Sequence, residues 1–288
     1  MLIRRFTRFA AIVAAATALA TPALAAGGYG PQPPAQKWSF DGLFGTYDRG
    51  ALQRGYLIYK DVCASCHGLA LVAYRDLRDI GLDDEQIKEA IKDIQITDGP
   101  NDLGDMFERP ALLSDRFKSP YPNEQAAIAA NGALPPDLSL SAKARLVDVG
   151  SIPVLRSFGA KVRHGGPDYL YALLTGYRDF DALTPAQRKE YGVPDDFALG
   201  EGQAFNVYFK GFAIRMPSPL SDGQMEFLDG APNTASAMAH DVATFLAWAA
   251  EPRMEDRKRT GVKVVLFLLV LAGLMYLVKR KVWANVPH

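Results

Sequence analysis

Cysteine is nearly absent from this chain: two residues among 288, alongside four histidines and three tryptophans. So few thiols exclude a disulfide-stapled scaffold and a zinc site built from two cysteine pairs. Acidic residues are missing from both ends, since none precedes Asp41 and none follows Asp256. Lysine and arginine total 32, as do aspartate and glutamate. With no basic excess, no nucleic-acid partner is expected. No internal repeat is present, which excludes a stacked-repeat architecture.

Both cysteines lie in one string, Cys63-Ala64-Ser65-Cys66-His67. C-x-x-C-H is the attachment signal of a c-type haem. Two thiols at this spacing add to the two vinyl groups of one porphyrin, and the histidine that follows is held beneath the iron as an axial ligand. Other readings fit less well. A thioredoxin-like dithiol belongs in a βαβ context, a zinc half-site lacks its second pair, and a Cys63–Cys66 disulfide closes a small, strained loop. The expected cofactor is one covalent haem c, and the expected role is electron transfer.

The ends of the chain carry targeting and anchoring patterns. Arg4, Arg5 and Arg8 precede an apolar run from Phe9 to Ala20, and Ala23-Leu24-Ala25-Ala26 supplies an A-x-A exit. This is the pattern of a cleaved secretory signal, assigned to residues 1–25. Export also suits covalent haem attachment. Near the other end, Gly261 to Val278 carries a single charge, Lys263, and spans roughly 25–27 Å at about 1.5 Å per residue. That length approaches a hydrocarbon core of about 30 Å, and Lys279-Arg280-Lys281 with Trp283 anchors its far side. The expected organisation is a haem domain over 26–260, a span over 261–281 and a tail over 282–288. Signal and basic tail together orient it: bacterial inner membrane, single pass, haem domain in the periplasm, C-terminus in the cytoplasm. Three arginines in the signal and four basic residues from Gly261 onward leave 25 basic against 32 acidic residues outside, a net of −7. Such a charge favours basic partners.

Helical periodicity is clearest at both ends of the exported part. Leu52, Tyr56, Tyr59 and Cys63 share one face of a helix from Asp48, its N-cap, to Cys63, after which Gly68 permits a turn. Val242, Phe245, Leu246 and Ala249 do the same from Ser236 to Ala250, where Pro252 interrupts before the span. Gly55 and Tyr56 are placed where the two helices cross. Shorter helices are expected over Asp83–Asp93, Glu124–Ala130 and Asp168–Thr175, the last with Tyr169, Leu170, Leu173 and Leu174 on its apolar side. Residues 27–37 read as an extended arm. The stretches from Thr97 to Pro136 and over 176–235 read as loops, with a short strand possible at Asn206–Phe209. The fold class is mostly α: a class I cytochrome c-like haem domain with large loop insertions, plus one C-terminal transmembrane helix.

His67 occupies one side of the iron. For the other side the exported part offers His164, His240, Met106, Met216, Met225, Met238 and Met254. Met216 has the most suitable context, a non-helical stretch stiffened by Pro217 and Pro219; a lone methionine is otherwise an ordinary core filler.

The string from Arg54 through Cys63-Ala64-Ser65-Cys66-His67 to Val72-Ala73-Tyr74-Arg75 resembles the cytochrome c1 family, the haem subunit of ubiquinol–cytochrome c reductase (the bc1 complex). So do Thr97-Asp98-Gly99-Pro100-Asn101, Met106-Phe107-Glu108-Arg109-Pro110, Pro120-Tyr121-Pro122-Asn123, the stretch Ala130–Ser139, and Arg163-His164-Gly165-Gly166 on to Tyr177. The resemblance implies His67 and Met216 as the two iron ligands. It also implies that Asn131, Pro135, Pro136, Arg163 and Tyr169 line the haem pocket, with Arg163 pairing a propionate. It implies a cytochrome b subunit, a Rieske iron–sulfur protein as donor, a soluble c-type cytochrome as acceptor, and the lipid bilayer as partners. Asp102, Asp105 and Glu108 are candidates for steering a basic acceptor. The alternative is another membrane-tethered monohaem cytochrome donating to an oxidase. Ser141 to Ala160 is longer than its mitochondrial counterpart, which leaves the local path open.

Overall fold

The computed structural model describes residues 31–145 and 165–285. The signal segment lies outside them. Helix α1, Arg49–Asp61, starts where expected: the Asp48 carboxylate accepts from the Ala51 N–H at 3.1 Å. Leu52, Tyr56 and Tyr59 are buried on one face. The helix stops short of Cys63. Cys63–Ser65 form a tighter 3₁₀ turn, because the N–H groups of Cys66 and His67 both return to the Cys63 carbonyl, at 3.1 and 2.9 Å.

After this turn come strand β1 (Leu69–Ala73), a 3₁₀ segment (Tyr74–Ile80) and helix α2 (Asp84–Ile91). Asp83 and Gln86 form a reciprocal cap at the start of α2. The region expected as loops contains strands. Strand β2 (Gln95–Asp98) pairs antiparallel with β3 (Phe107–Pro110), and β4 (Arg116–Phe117) pairs with β1. Arg109 ties this hairpin to the next turn by reaching Asp98 at 2.5 Å and Asp115 at 2.6 Å. Helix α3 (Glu124–Asn131) is capped by Asn123, and α4 (Ser141–Ala144) follows. From residue 146 the long stretch noted above lies outside the described residues.

Helix α5 (Gly165–Thr175) begins earlier than expected. Leu170 is buried, and Tyr169 and Leu174 pack against the core partly buried, as expected, while Leu173 is half-buried. Asp168, 1% exposed, and Ala172 are buried as well. Asp168 accepts from the Trp38 indole N–H at 2.8 Å and the Gln36 N–H at 3.0 Å, bonds that offset the cost of burying a carboxylate. Next come α6 (Pro185–Tyr191), capped by Thr184 and Gln187, and a two-stranded pair, β5 (Ala204–Phe205) with β6 (Ala213–Ile214). The strand expected at Asn206–Phe209 is thus displaced. The Asn206 side-chain oxygen accepts from the N–H groups of Tyr208 and Phe209, at 3.0 and 3.2 Å, and turns the chain there.

Helix α7 (Ala235–Ala250) is buried over most of its length and packs on both α1 and α5. A Cβ on Gly55 would collide with the Asp241 carbonyl and lie 2.7 Å from the Phe245 Cβ, so α1 and α7 cross there, as the sequence suggests. Beside the crossing, Arg54 donates to Asp241 at 2.6 and 3.3 Å and to Asp229 at 2.6 Å. Tyr56, Tyr59, Phe117 and Phe245 meet ring to ring within 5.8–6.3 Å. A second, smaller core gathers Phe205, Phe212, Val207, Leu183 and Val193. Pro252 ends α7, but the break is short. Helix α8 runs unbroken from Met254 to Val282, through Gly261, and its most apolar window has mean hydropathy 2.5 with none of it buried in the protein. It is long and apolar enough to cross a membrane once. The fold is mostly helical with little strand.

Alanine is the better helix former by about 1 kcal/mol, yet Gly55→Ala is expected to destabilise the protein by about 1–3 kcal/mol, because overpacking at a crossing exceeds the propensity gain. Urea unfolding of the detergent-solubilised chain tests this; equal or greater stability would mean the two helices separate freely.

Candidate functional site

The end of α1 delivers the C-x-x-C-H residues to a wall formed by residues 136–139. His67 Nδ1 lies 2.7 Å from the Pro136 carbonyl oxygen. A carbonyl only accepts, so Nδ1 carries the proton and Nε2 keeps its lone pair for a metal. Burial lowers the His67 pKa, opposed by the Pro136 carbonyl and by Asp137, which favours the neutral ring that a metal needs. The Tyr59 hydroxyl donates to the His67 carbonyl at 3.0 Å, fixing the residue to α1. Asp137 accepts from the Ala70 N–H at 2.7 Å, and the Leu138 N–H donates to the Gly68 carbonyl at 2.9 Å. Gly68 does not have a positive φ. It is needed because a Cβ there would approach the Ser119 nitrogen to 2.9 Å, so its role is close approach rather than a turn.

Cys63 and Cys66 are free, half-buried thiols. Asn131, at the end of α3, donates from Nδ2 to the Ala127 carbonyl at 2.8 Å. That bond aims Oδ1 at Cys66 Sγ, 3.7 Å away, where it also accepts from the Tyr121 hydroxyl at 3.3 Å. A Cβ on the next residue, Gly132, would lie 3.1 Å from the Arg215 guanidinium. A continuous line of neighbours therefore runs from Cys66 through Asn131 and Gly132 to Arg215, which adjoins Met216. Met216 is half-buried, and its carbonyl accepts from the Tyr177 hydroxyl at 3.1 Å. Burial, reinforced by nearby Tyr169, raises the Tyr177 pKa, so its hydroxyl remains a donor. Burial raises Tyr169 likewise. Pro135 is half-buried; Pro136 exposes its ring and contributes through its carbonyl. Arg163 and His164 lie outside the described residues.

The remaining ligand candidates have other places. Met106 is 59% exposed on the β2–β3 hairpin, Met238 is wholly buried inside α7, and Met254 is buried at the foot of α8. Met225 packs against the main core. His240 stacks on Trp38 at 4.4 Å, with Nε2 toward the Lys37 carbonyl at 3.3 Å. Tyr121 and Tyr177 were not among the residues singled out from sequence. Both fall inside the family-like strings, but their partners, a thiol with an amide and a backbone carbonyl, leave no trace in local pattern.

The donor set fits a covalently held haem: two thiols, an imidazole with its second nitrogen tied to a carbonyl, and a thioether on a loop held by Tyr177. It suits a redox dithiol less well. Burial, with the adjacent Cys66 sulfur, pushes the Cys63 thiol up to about 12, whereas a dithiol oxidoreductase needs a thiolate near neutral pH. Among the described residues no group of three or more His, Cys, Asp and Glu is disposed to hold a metal ion. In the haem-free chain, alkylation of Cys63 is expected to climb with pH toward 12 instead of levelling off near 9, the thiol being protonated below its raised pKa. Mass-spectrometric labelling rates report this, and a plateau at pH 7–8 would reinstate a redox dithiol.

The model of the cytochrome C1 family matches residues 38–286. The chain is 50% identical over 258 residues to a cytochrome b/c1 of Bradyrhizobium diazoefficiens; this covers 88% of the chain but 36% of that longer protein. It is 43% identical over 259 residues to a cytochrome c1 of Rhodospirillum rubrum, covering 88% of both. It is 44% identical over 245 residues to a mitochondrial cytochrome c1 heme protein of Arabidopsis thaliana, covering 85% of the chain and 69% of that protein. Similarity of this extent, over a sequence whose thiols, imidazole and thioether loop suit a haem, settles the kinship: the chain belongs to the cytochrome c1 family, the electron-transfer haem subunits of the bc1 complex.

Proposed function

We propose that this chain takes one electron from a Rieske iron–sulfur protein and passes it to a soluble c-type cytochrome, as the haem subunit of a quinol–cytochrome c reductase that includes cytochrome b. The observation that carries the reading is His67, neutral and held by Pro136, at the end of a helix that also presents both thiols. Cys63 and Cys66 would hold a haem c as thioethers, with His67 Nε2 and the Met216 thioether as its iron ligands. A haem held this way would supply a one-electron couple, its potential raised by the thioether ligand.

The chain's own residues do the rest. Pro136 and Tyr59 orient the imidazole, Tyr177 holds the Met216 backbone, and Asn131 with Tyr121 fixes the surroundings of Cys66. Arg163, on the strength of the resemblance, pairs a propionate, and Tyr169 lines the pocket. No side chain acts as acid, base or nucleophile. The haem domain faces the periplasm after loss of residues 1–25, a reading supported by the basic residues following the apolar span.

The β2–β3 hairpin offers a docking face for a basic acceptor. Asp98 is engaged by Arg109, and Glu108 accepts from the Thr97 hydroxyl at 2.6 Å, which leaves Asp102 and Asp105 exposed at the tip. Long-range attraction of this kind speeds encounter at low salt. Replacing both by asparagine is expected to slow reduction of a basic cytochrome several-fold at low ionic strength and to leave it unchanged at high; stopped-flow rates equal to the parent's at low salt would place the docking face elsewhere.

Met216→Leu tests the ligand assignment directly. The variant is expected to retain covalent haem by pyridine haemochrome assay, to titrate at a lower potential, to bind carbon monoxide and to lose turnover. An unchanged potential without carbon monoxide binding rules Met216 out. Purification in mild detergent is expected to bring cytochrome b and a Rieske protein along; a chain that instead co-purifies with an oxidase belongs to a different electron path.

A further inference from the structure

Where α8 leaves the domain, the loop over 43–46 lies against it. Leu43, Phe44, Gly45 and Thr46 form one wall of a groove of about 280 Å³, and one stripe of α8 forms the other. The stripe runs Glu255, Lys258, Arg259, Val262 and Lys263, spaced at i, i+3, i+4, i+7 and i+8, so these residues share a face. Leu266 continues the same face into the apolar span.

The charges on this groove are unequally engaged. Glu255 accepts from the Tyr47 N–H at 2.8 Å and from Arg49 at 3.0 Å. Lys258 donates to the Phe40 and Gly45 carbonyls, at 2.7 and 3.1 Å, and holds the loop in place. Arg259 and Lys263 are exposed, and neither belongs to an ion pair found among the described residues. The groove therefore presents two uncompensated cations beside a bare aromatic ring, Phe44 being 79% exposed.

Membrane depth narrows the ligand. From Val264 to Val278 no residue is charged, roughly 22 Å at about 1.5 Å per residue. A hydrocarbon core of about 30 Å exceeds that length, so the flanking turns of α8 are drawn into the interface. Arg259 and Lys263 then stand at headgroup level, with Val262, Leu266 and Phe44 alongside the first acyl carbons. A soluble anion would use the cations and leave the apolar wall bare. A zwitterionic lipid would offer its phosphate with a compensating cation.

From this placement we infer that the groove between residues 43–46 and α8 is a binding site for one anionic phospholipid of the leaflet next to the haem domain. Its phosphate pairs with Arg259 and Lys263, and its acyl chain runs along Val262 and Leu266. This rests on α8 spanning the membrane and is independent of haem chemistry.

The test uses the full-length haem-loaded chain, delipidated in detergent and titrated with phosphatidylglycerol or phosphatidylcholine while native mass spectrometry counts retained lipids. Phosphatidylglycerol is expected to be retained preferentially, and R259Q/K263Q to lower its affinity about tenfold and remove one bound copy. Phe44→Ser is expected to weaken retention of that same copy. Both variants change exposed side chains, and an unchanged haem spectrum verifies folding. Millimolar inorganic phosphate is expected not to displace the lipid. Equal retention of the two lipids, an undiminished copy number in R259Q/K263Q, or displacement by phosphate overturns the assignment. Loss limited to a variant of Lys279, Arg280 and Lys281 overturns it as well, by moving the site to the other end of α8.

Discussion

The crossing of α1 and α7 at Gly55 is the constraint on which the remainder depends. Contact that close leaves no room for a side chain, so it sets both the separation and the angle of α1 and α7. Arg54 locks the same point by spanning Asp241 and Asp229. Once α1 is placed, its C-terminal end fixes where Cys63, Cys66 and His67 emerge. The aromatic contacts of Tyr56 and Tyr59 with Phe117 then carry β4, and through Ser119 the chain that lies against Gly68. The thiols and imidazole are thus positioned by packing one to three helical turns away from them. A loop could not hold two sulfurs and a nitrogen so closely without that support.

What was legible in the sequence followed from periodicity and capping. Asp48 announces the start of α1, and the apolar face of α7 is unmistakable; the caps Asp83 and Asn123 emerge only in the structure. The short strands were not legible. β4 has two residues, and its partner β1 lies far away in the chain, so no local pattern encodes the pairing. The burial of Asp168 left no local sign, because it rests on a backbone N–H and an indole N–H that lie 132 and 130 positions away in the chain. The second core was invisible because Phe180, Phe197, Phe205 and Phe212 are scattered aromatics in a stretch without periodicity, joined only by folding.

At the site the balance was similar. Motif chemistry alone singled out Cys63, Cys66 and His67 as candidates. Met216 stood out by the prolines after it, and its backbone is tied to Tyr177, whereas Met238 and Met254 lie in the core and Met106 on the surface. The fixing groups were hidden, since they are backbone carbonyls: Pro136 holds His67 through its oxygen, and Tyr177 holds Met216 through the oxygen of Met216 itself. A sequence displays side chains; it does not display which carbonyls will point where.

Only Glu251 to Arg253 separate the core helix α7 from the membrane helix α8, and that junction is pinned on several sides. Arg257 and Lys143 reach back to Glu251, Glu255 holds Tyr47 and Arg49, and Lys258 donates to the loop over 40–45. The junction and the base of α8 are thereby joined to α4, to the start of α1 and to that loop, so a change at any one of these bears on the helix that leaves the domain.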